Sequence, residues 1–124
     1  MPFKNRADKI IVQKIIGYCK DIEDSITDFK ISYETYESVK IYRSGLDNFV
    51  FQLCELTIRL SEEFKAEHEE IKWHKMRGLR NIHAHDYEKI KIDKMWAIIS
   101  KDIPELRAQL EQILAAEETN DVAK

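Results

Sequence analysis

The run Leu46-Asp47-Asn48-Phe49-Val50-Phe51-Gln52-Leu53-Cys54-Glu55-Leu56-Thr57-Ile58-Arg59-Leu60 decides the fold. Leu46, Phe49, Leu53, Leu56 and Leu60, with Phe64 beyond them, recur at intervals of three and four, which is the spacing of one stripe on a helix. Val50, Cys54 and Ile58 add a second apolar row beside the first. A helix apolar on two adjoining rows is covered on more than one side, either at the centre of a bundle or against a second subunit. Traced upstream, the stripe continues through Val39 and Tyr36 to Ser32, a residue type suited to capping a helix start. Gly45 interrupts helix propensity without ending the pattern, and serves either a bend or a close backbone approach.

The flanking sequence repeats the same logic. Ile11, Ile15, Tyr18, Ile22, Ile26 and Phe29 predict a first helix over about residues 7–29. A third is expected over about 67–84, with Ile71, Trp73, Met76 and Leu79 apolar and Glu67, Glu69 and Glu70 in a first turn that favours negative charge. Asp93 reads as the cap of a fourth, whose apolar row is Trp96, Ile99, Ile103, Leu106, Leu110 and Ile113. Pro104 either kinks that helix or sits in the first turn of a separate last helix capped by Asp102. The expectation is an all-α fold, an antiparallel bundle of four to five helices, in one domain over residues 1–115. Residues 116–124 carry no apolar stripe and are expected to fray.

Composition agrees. In 124 residues there are only three Gly and two Pro, too few for the many tight turns of a sandwich or barrel. Hydrophobic residues at 44% supply a core, which excludes disorder over the whole length. No stretch approaches a membrane span and the start lacks a signal-peptide apolar run, so a cytoplasmic protein is expected. Cys19 and Cys54 each sit within an apolar helical pattern and are expected to pack as thiols. The net charge of -3 hides a division, because residues 1–20, 21–70, 71–94 and 95–124 carry +4, -8, +4 and -3. A polyanion would meet residues 71–94, where Lys72, Lys75, Arg77, Arg80, Lys89 and Lys91 cluster. A mixed solvated surface, paired with the acidic residues just upstream, accounts for the same charges.

Chemistry concentrates in Met76-Arg77-Gly78-Leu79-Arg80-Asn81-Ile82-His83-Ala84-His85-Asp86-Tyr87. Paired guanidinium donors suit phosphate oxygens, and an imidazole moves a proton near neutral pH. Arg80 with His85 therefore suits a phosphodiester, with Asn81 holding an oxygen or orienting the ring. RNA fits better than DNA, since its 2'-hydroxyl is an internal nucleophile that an imidazole base can trigger without a metal. On a straight helix, five residues place Arg80 and His85 about 140° apart. They meet if the helix ends or distorts before His85, or if two copies line one cleft. His83 is the other candidate imidazole, with a supporting or surface role favoured, and Arg77 is a second supporting candidate. His68 and His74 are expected to be exposed. His83 and His85 diverge on a helix and no paired-Cys or zinc-protease pattern exists, so no metal or other cofactor is expected. Tyr87 packs over the loop that follows, or offers a phenol beside the cleft whose modification would add charge where phosphate enters.

The segment Trp73-His74-Lys75-Met76-Arg77-Gly78-Leu79-Arg80-Asn81, with His85 and Tyr87, resembles HepT-like members of the HEPN superfamily through the pattern of Arg, four residues, His, one residue, Tyr. Leu53-Cys54-Glu55, Leu60-Ser61-Glu62-Glu63-Phe64, Ile92-Asp93-Lys94-Met95-Trp96 and Asp102-Ile103-Pro104-Glu105-Leu106 extend the likeness over roughly residues 7 to 115. The resemblance implies a homodimeric HEPN-like helical domain, a metal-independent endoribonuclease toxin with its cleft at the dimer interface. It assigns RNA cleavage to Arg80 and His85 with help from Asn81. It also implies a small nucleotidyltransferase antitoxin that transfers AMP from ATP to Tyr87. The chain departs from the pattern at Cys54, where a small Gly is usual, and over residues 68–73, which lack the usual Pro before the Trp. The alternatives are a noncatalytic helical subunit that presents substrate or nucleotide to a nucleotidyltransferase, and a purely structural dimer.

Overall fold

A computed structural model describes residues 3–123, with side chains over 3–84 and 87–117. The described residues form helices joined by short turns, with no strand among them. The elements are α1 (Arg6–Asp28), α2 (Tyr33–Ser38), α3 (Lys40–Arg59), α4 (Glu62–Glu67), α5 (Trp73–Asp86), α6 (Ile92–Ala97) and α7 (Ile103–Ala123). A 3₁₀ turn follows α5 at Tyr87–Lys89, and a π turn at Ile98–Asp102 joins α6 to α7.

Side-chain pairs give the helix directions. Lys9 meets Glu117 at 3.3 Å and Glu23 meets Arg107, so α1 and α7 run antiparallel. Asp8, at the start of α1, accepts from the Ser61 amide at 2.9 Å and the Ser61 hydroxyl at 2.6 Å, just past the end of α3. Phe29, at the other end of α1, packs on Tyr42, so α1 and α3 are also antiparallel. Between these helices and α5 to α7 lies one core that includes Val12, Ile15, Ile22, Val50, Leu53, Ile99 and Leu110. Each fully buried aliphatic side chain contributes about 1.5–3 kcal/mol of transfer free energy before ordering costs. Cys19 and Cys54 are free and buried in this core, and burial pushes both thiols up to about 12.

The apolar rows locate the helices, and the breaks fall where side-chain hydrogen bonds demand them. Asn5 caps α1 through a 2.8 Å bond from the Ala7 amide. Ser32 begins α2 in a capping box with Thr35, but the expected long second helix is three pieces. Val39 is extended (φ -98°, ψ 98°) between α2 and α3. Leu60 is extended after α3, and Ser61 caps α4 by accepting from the Phe64 amide at 3.1 Å. Gly45 lies within an unbroken stretch of α3, and a Cβ there would meet nothing within 4 Å, so no close approach within the chain requires it.

The third helix starts later than expected. Glu67 ends α4, where it pairs with Lys4 at 2.9 Å, and α5 begins only at Trp73. The indole N–H of Trp73 donates to the His68 carbonyl at 3.0 Å, fixing the turn before α5, so the acidic residues do not lie in its first turn. Similarly, the cap position of α6 is Lys91, and Asp93 stands inside the first turn. Pro104 falls in the first turn of a separate last helix, α7, which follows directly on the π turn. The Ile103 amide donates to the Ile98 carbonyl in a widened turn, while the Asp102 carboxylate accepts from Lys75 Nζ at 2.6 Å. Helical backbone continues to Ala123, past the end of the apolar row.

Candidate functional site

The site is built on the facing sides of α3 and α5. On α3, Asp47, Phe51 and Glu55 recur every four residues and so share one row. On the other strand of the ladder, Arg80, His83 and Tyr87 recur at three and four. The rows run antiparallel and pair rung by rung: Glu55 with Arg80, Phe51 with His83, Asp47 with Tyr87.

At the first rung, Arg80 Nε donates to Glu55 Oε1 at 2.8 Å and one Nη donates to Asn81 Oδ1 at 3.3 Å. Two of five guanidinium N–H groups are thereby engaged, which fixes the plane of the fork and leaves the rest for an oxyanion. Arg80 keeps 39% of its side chain exposed, enough for a ligand to reach it. Arg77 turns instead toward α4, where its guanidinium is 3.7 Å from Glu62.

At the second rung, the His83 imidazole stacks on Phe51 with centroids 3.7 Å apart and planes 13° from parallel. Phe51 is buried and His83 is exposed, so the phenyl ring backs an imidazole whose other face meets solvent. Tyr87 presents its edge to both rings at 5.6 Å.

At the third rung, the Tyr87 hydroxyl donates to Asp47 Oδ2 at 2.8 Å, and the Tyr36 hydroxyl donates to Oδ1 of the same carboxylate at 2.5 Å. Burial lifts the Asp47 carboxyl above the ordinary carboxylate value, against the opposing pull of the two phenols, Arg43 and His83. Burial and then the Asp47 bond push the Tyr87 phenol up to about 12, and the same two causes raise Tyr36 further. Arg43 lines the cleft beside this pair and ties back to α2 by donating to the Glu37 carbonyl at 2.5 Å.

Of the residues singled out in the sequence, Arg80, Asn81, His83 and Tyr87 thus lie along one face of the α3–α5 pair. The His85 side chain lies outside the described residues. Helix α5 is unbroken from Trp73 to Asp86, so no helix end intervenes between Arg80 and His85. His74 is exposed as expected, whereas His68 is only 16% exposed, packed against the Phe64 ring. Among the described residues no three His, Cys, Asp or Glu side chains gather as a metal site, and no helix is long and apolar enough to cross a membrane. Sequence reasoning missed Asp47, Phe51, Glu55 and Tyr36. The available signal was a third row at positions 47, 51 and 55, polar at both ends, beside two rows that were wholly apolar.

Fold and site together define an all-helical domain that presents an ordered guanidinium–amide pair and a carboxylate-bound phenol on one helical face. The chain belongs to the ribonuclease HepT-like family, whose pattern it matches over residues 9–113. It is 27% identical over 109 residues to "Putative RNase TTE0752" of Caldanaerobacter subterraneus subsp. tengcongensis, covering 88% of this chain and 86% of that one. It is 24% identical over 103 residues to "Putative RNase MJ1380" of Methanocaldococcus jannaschii, with 83% and 93% covered. A third relative, "Probable ribonuclease HepT" of Thermococcus cleftensis, is 24% identical over 91 residues, with 73% of each chain covered. No solved structure matches the chain.

Proposed function

We propose that this chain is a metal-independent endoribonuclease, the toxin of a toxin–antitoxin pair, acting in the cytoplasm as a homodimer. The observation that carries the reading is the guanidinium of Arg80, oriented by Glu55 and Asn81 yet accessible, on a chain of ribonuclease family. In the reaction, His85 takes the proton of the RNA 2'-hydroxyl, whose oxygen attacks the adjacent phosphorus. The bond to the 5'-oxygen breaks, giving a cyclic phosphate and a free 5'-hydroxyl. Arg80 stabilises the added charge on the pentacoordinate phosphorus, and Asn81 holds the Arg80 fork. Because a spacing of five residues separates two positions on a straight helix by about 140°, two copies supply Arg80 and His85 to one phosphate. A partner nucleotidyltransferase using ATP silences the site by placing AMP on Tyr87, adding charge and bulk at the mouth.

The test is cleavage of a single-stranded RNA panel by pure protein, with product ends identified. Wild type is expected to leave cyclic phosphate and 5'-hydroxyl ends, and Arg80→Ala and His85→Ala to lose cleavage. Intact RNA with wild type, or equal cleavage by all three, overturns the reading. The acidic net balance favours a second reading, a noncatalytic helical subunit that presents nucleotide or substrate to a nucleotidyltransferase. Nucleotide binding without RNA cleavage is its signature.

A further inference from the structure

We propose that Asp47 is the proton acceptor that makes the Tyr87 hydroxyl a nucleophile toward phosphoryl groups, with Tyr36 fixing the carboxylate and Arg43 supplying positive charge in the same cleft. For a nucleotide donor this deepens, and rests on, the reading of Tyr87 as the modified residue. The geometry has three parts. The Tyr87 oxygen is 2.8 Å from Asp47 Oδ2, within direct proton-transfer reach. Tyr36, fully buried, donates to the other oxygen, so the carboxylate cannot rotate away without leaving a buried hydroxyl unpaired. Tyr87 itself is 42% exposed, so an incoming electrophile meets a phenol whose base stands behind it.

The step balances as a displacement. The Tyr87 oxygen bonds to the α-phosphorus of a nucleoside triphosphate, the bond from that phosphorus to the bridging oxygen breaks, and pyrophosphate leaves. The phenolic proton passes to Asp47 as the new bond forms. Transfer is concerted, because a neighbouring carboxylate opposes a free phenolate while accepting its proton. Arg43 faces the growing phosphate charge from α3. Glu88, the remaining charged residue lining the cleft, opposes it from the turn after α5.

Two assays separate this assignment from the reading beneath it. The first uses an aryl sulfonyl fluoride, with Tyr87 sulfonylation read by peptide mass and compared with free tyrosine amide. The groups facing Asp47 are Tyr36, Arg43, His83 and Tyr87, and each is held constant in this comparison except the one varied. Between about pH 6 and 9 wild type is expected to react with a flatter profile than the amide, whose rate climbs about tenfold per unit as phenolate forms. Asp47→Asn, checked for helical content and melting, is expected to react at least about tenfold more slowly at pH 7 and to regain the steep profile. A steep wild-type profile overturns the assignment even if Asp47→Asn fails to fold, as does equal sulfonylation of a folded Asp47→Asn. The second assay measures AMP transfer to Tyr87 by the cognate transferase. A matching loss in Asp47→Asn supports the proposal, and equal transfer overturns it. Asp47-dependent sulfonylation without any AMP transfer to wild type leaves the acceptor pair standing and overturns Tyr87 as the nucleotide target.

Discussion

Arg80 on α5 is held by Glu55 on α3, one helix turn above the stacked Phe51–His83 pair, so the guanidinium proposed to bind phosphate is oriented before any ligand arrives. Both partners are well exposed, at 39% and 52% of their side chains. Solvent screening limits such a pair to about 0–1 kcal/mol of stability, whereas losing its orientation costs a reaction far more. Glu55→Ala is therefore expected to unfold within about 1 kcal/mol of wild type while cleaving RNA about 10- to 100-fold more slowly. Glu62→Ala, which loses the 3.7 Å contact with Arg77 and a 3.5 Å pair with Lys65 but touches nothing that holds Arg80, is the control and is expected to cleave normally. Paired denaturant melts and single-turnover cleavage check both, and parallel losses in the two measurements would reduce Glu55 to a structural contact.

The buried carboxylate predicts a pH dependence of stability. Burial raises Asp47 above its ordinary value of 3.8 in the folded protein, with Tyr36, Tyr87, Arg43 and His83 pulling the other way. A raised folded value means that the protonated form favours the fold. That contribution is complete below about 3.8 and is lost as pH climbs through the higher folded value. Asp47→Asn cannot ionise. The stability of wild type minus that of Asp47→Asn is expected to fall as pH rises above about 4 and then to level. Denaturant unfolding of both proteins from acid to neutral pH measures it, and a difference that stays constant or grows contradicts the sign.

How much of this was legible in the residues depends on which force set each feature. Burial writes itself into spacing, so α1, the body of α3 and the row from Trp96 to Ile113 were readable from intervals of three and four. Caps were readable only where a side chain makes the decisive bond: Ser32 was found, but the Asp93 expectation failed because the chain leaves its extended stretch two residues earlier, at Lys91. The breaks at Val39 and Leu60 carry no Gly or Pro, and the side-chain bonds beside them join separate helices. Tyr36 reaches Asp47, and Ser61 reaches Asp8 across 53 positions. The site divides similarly. Arg80, Asn81, His83 and Tyr87 are dense enough in one segment to draw notice, while Glu55, Phe51 and Asp47 gain meaning only when α5 is laid against α3.

The end of α1 gives a third prediction. Lys30 has φ 52°, the left-handed region, and the Ile31 amide donates to the Ile26 carbonyl at 2.9 Å while the Lys30 amide donates to Thr27 at 3.3 Å. These bonds are the helix stop usually built on glycine, here made by a residue whose Cβ strains it. Lys30→Gly relieves that strain but adds freedom to the unfolded chain, for a net gain of about 0.5–1 kcal/mol. Thermal unfolding measures the gain, and a lower melting temperature would mean that the Lys30 side chain contributes more than its backbone costs.

His83 is the described imidazole nearest Arg80 in the chain, and its contacts separate two uses of the ring. A parallel stack on buried Phe51 requires a flat aromatic ring, whereas general-base chemistry requires a nitrogen lone pair. Phenylalanine supplies the first and lacks the second. His83→Phe is therefore expected to match wild type in stability and to cleave RNA within about threefold, while His83→Ala loses about 0.5–1.5 kcal/mol and uncovers Phe51. Both variants are compared with His85→Ala in the same cleavage assay. If His83→Phe folds fully yet loses cleavage as His85→Ala does, the working base is an imidazole at position 83 as well as 85. If His83→Phe cleaves while His85→Ala does not, the ring at 83 serves as a packed aromatic surface beside Arg80 and the proton is moved elsewhere.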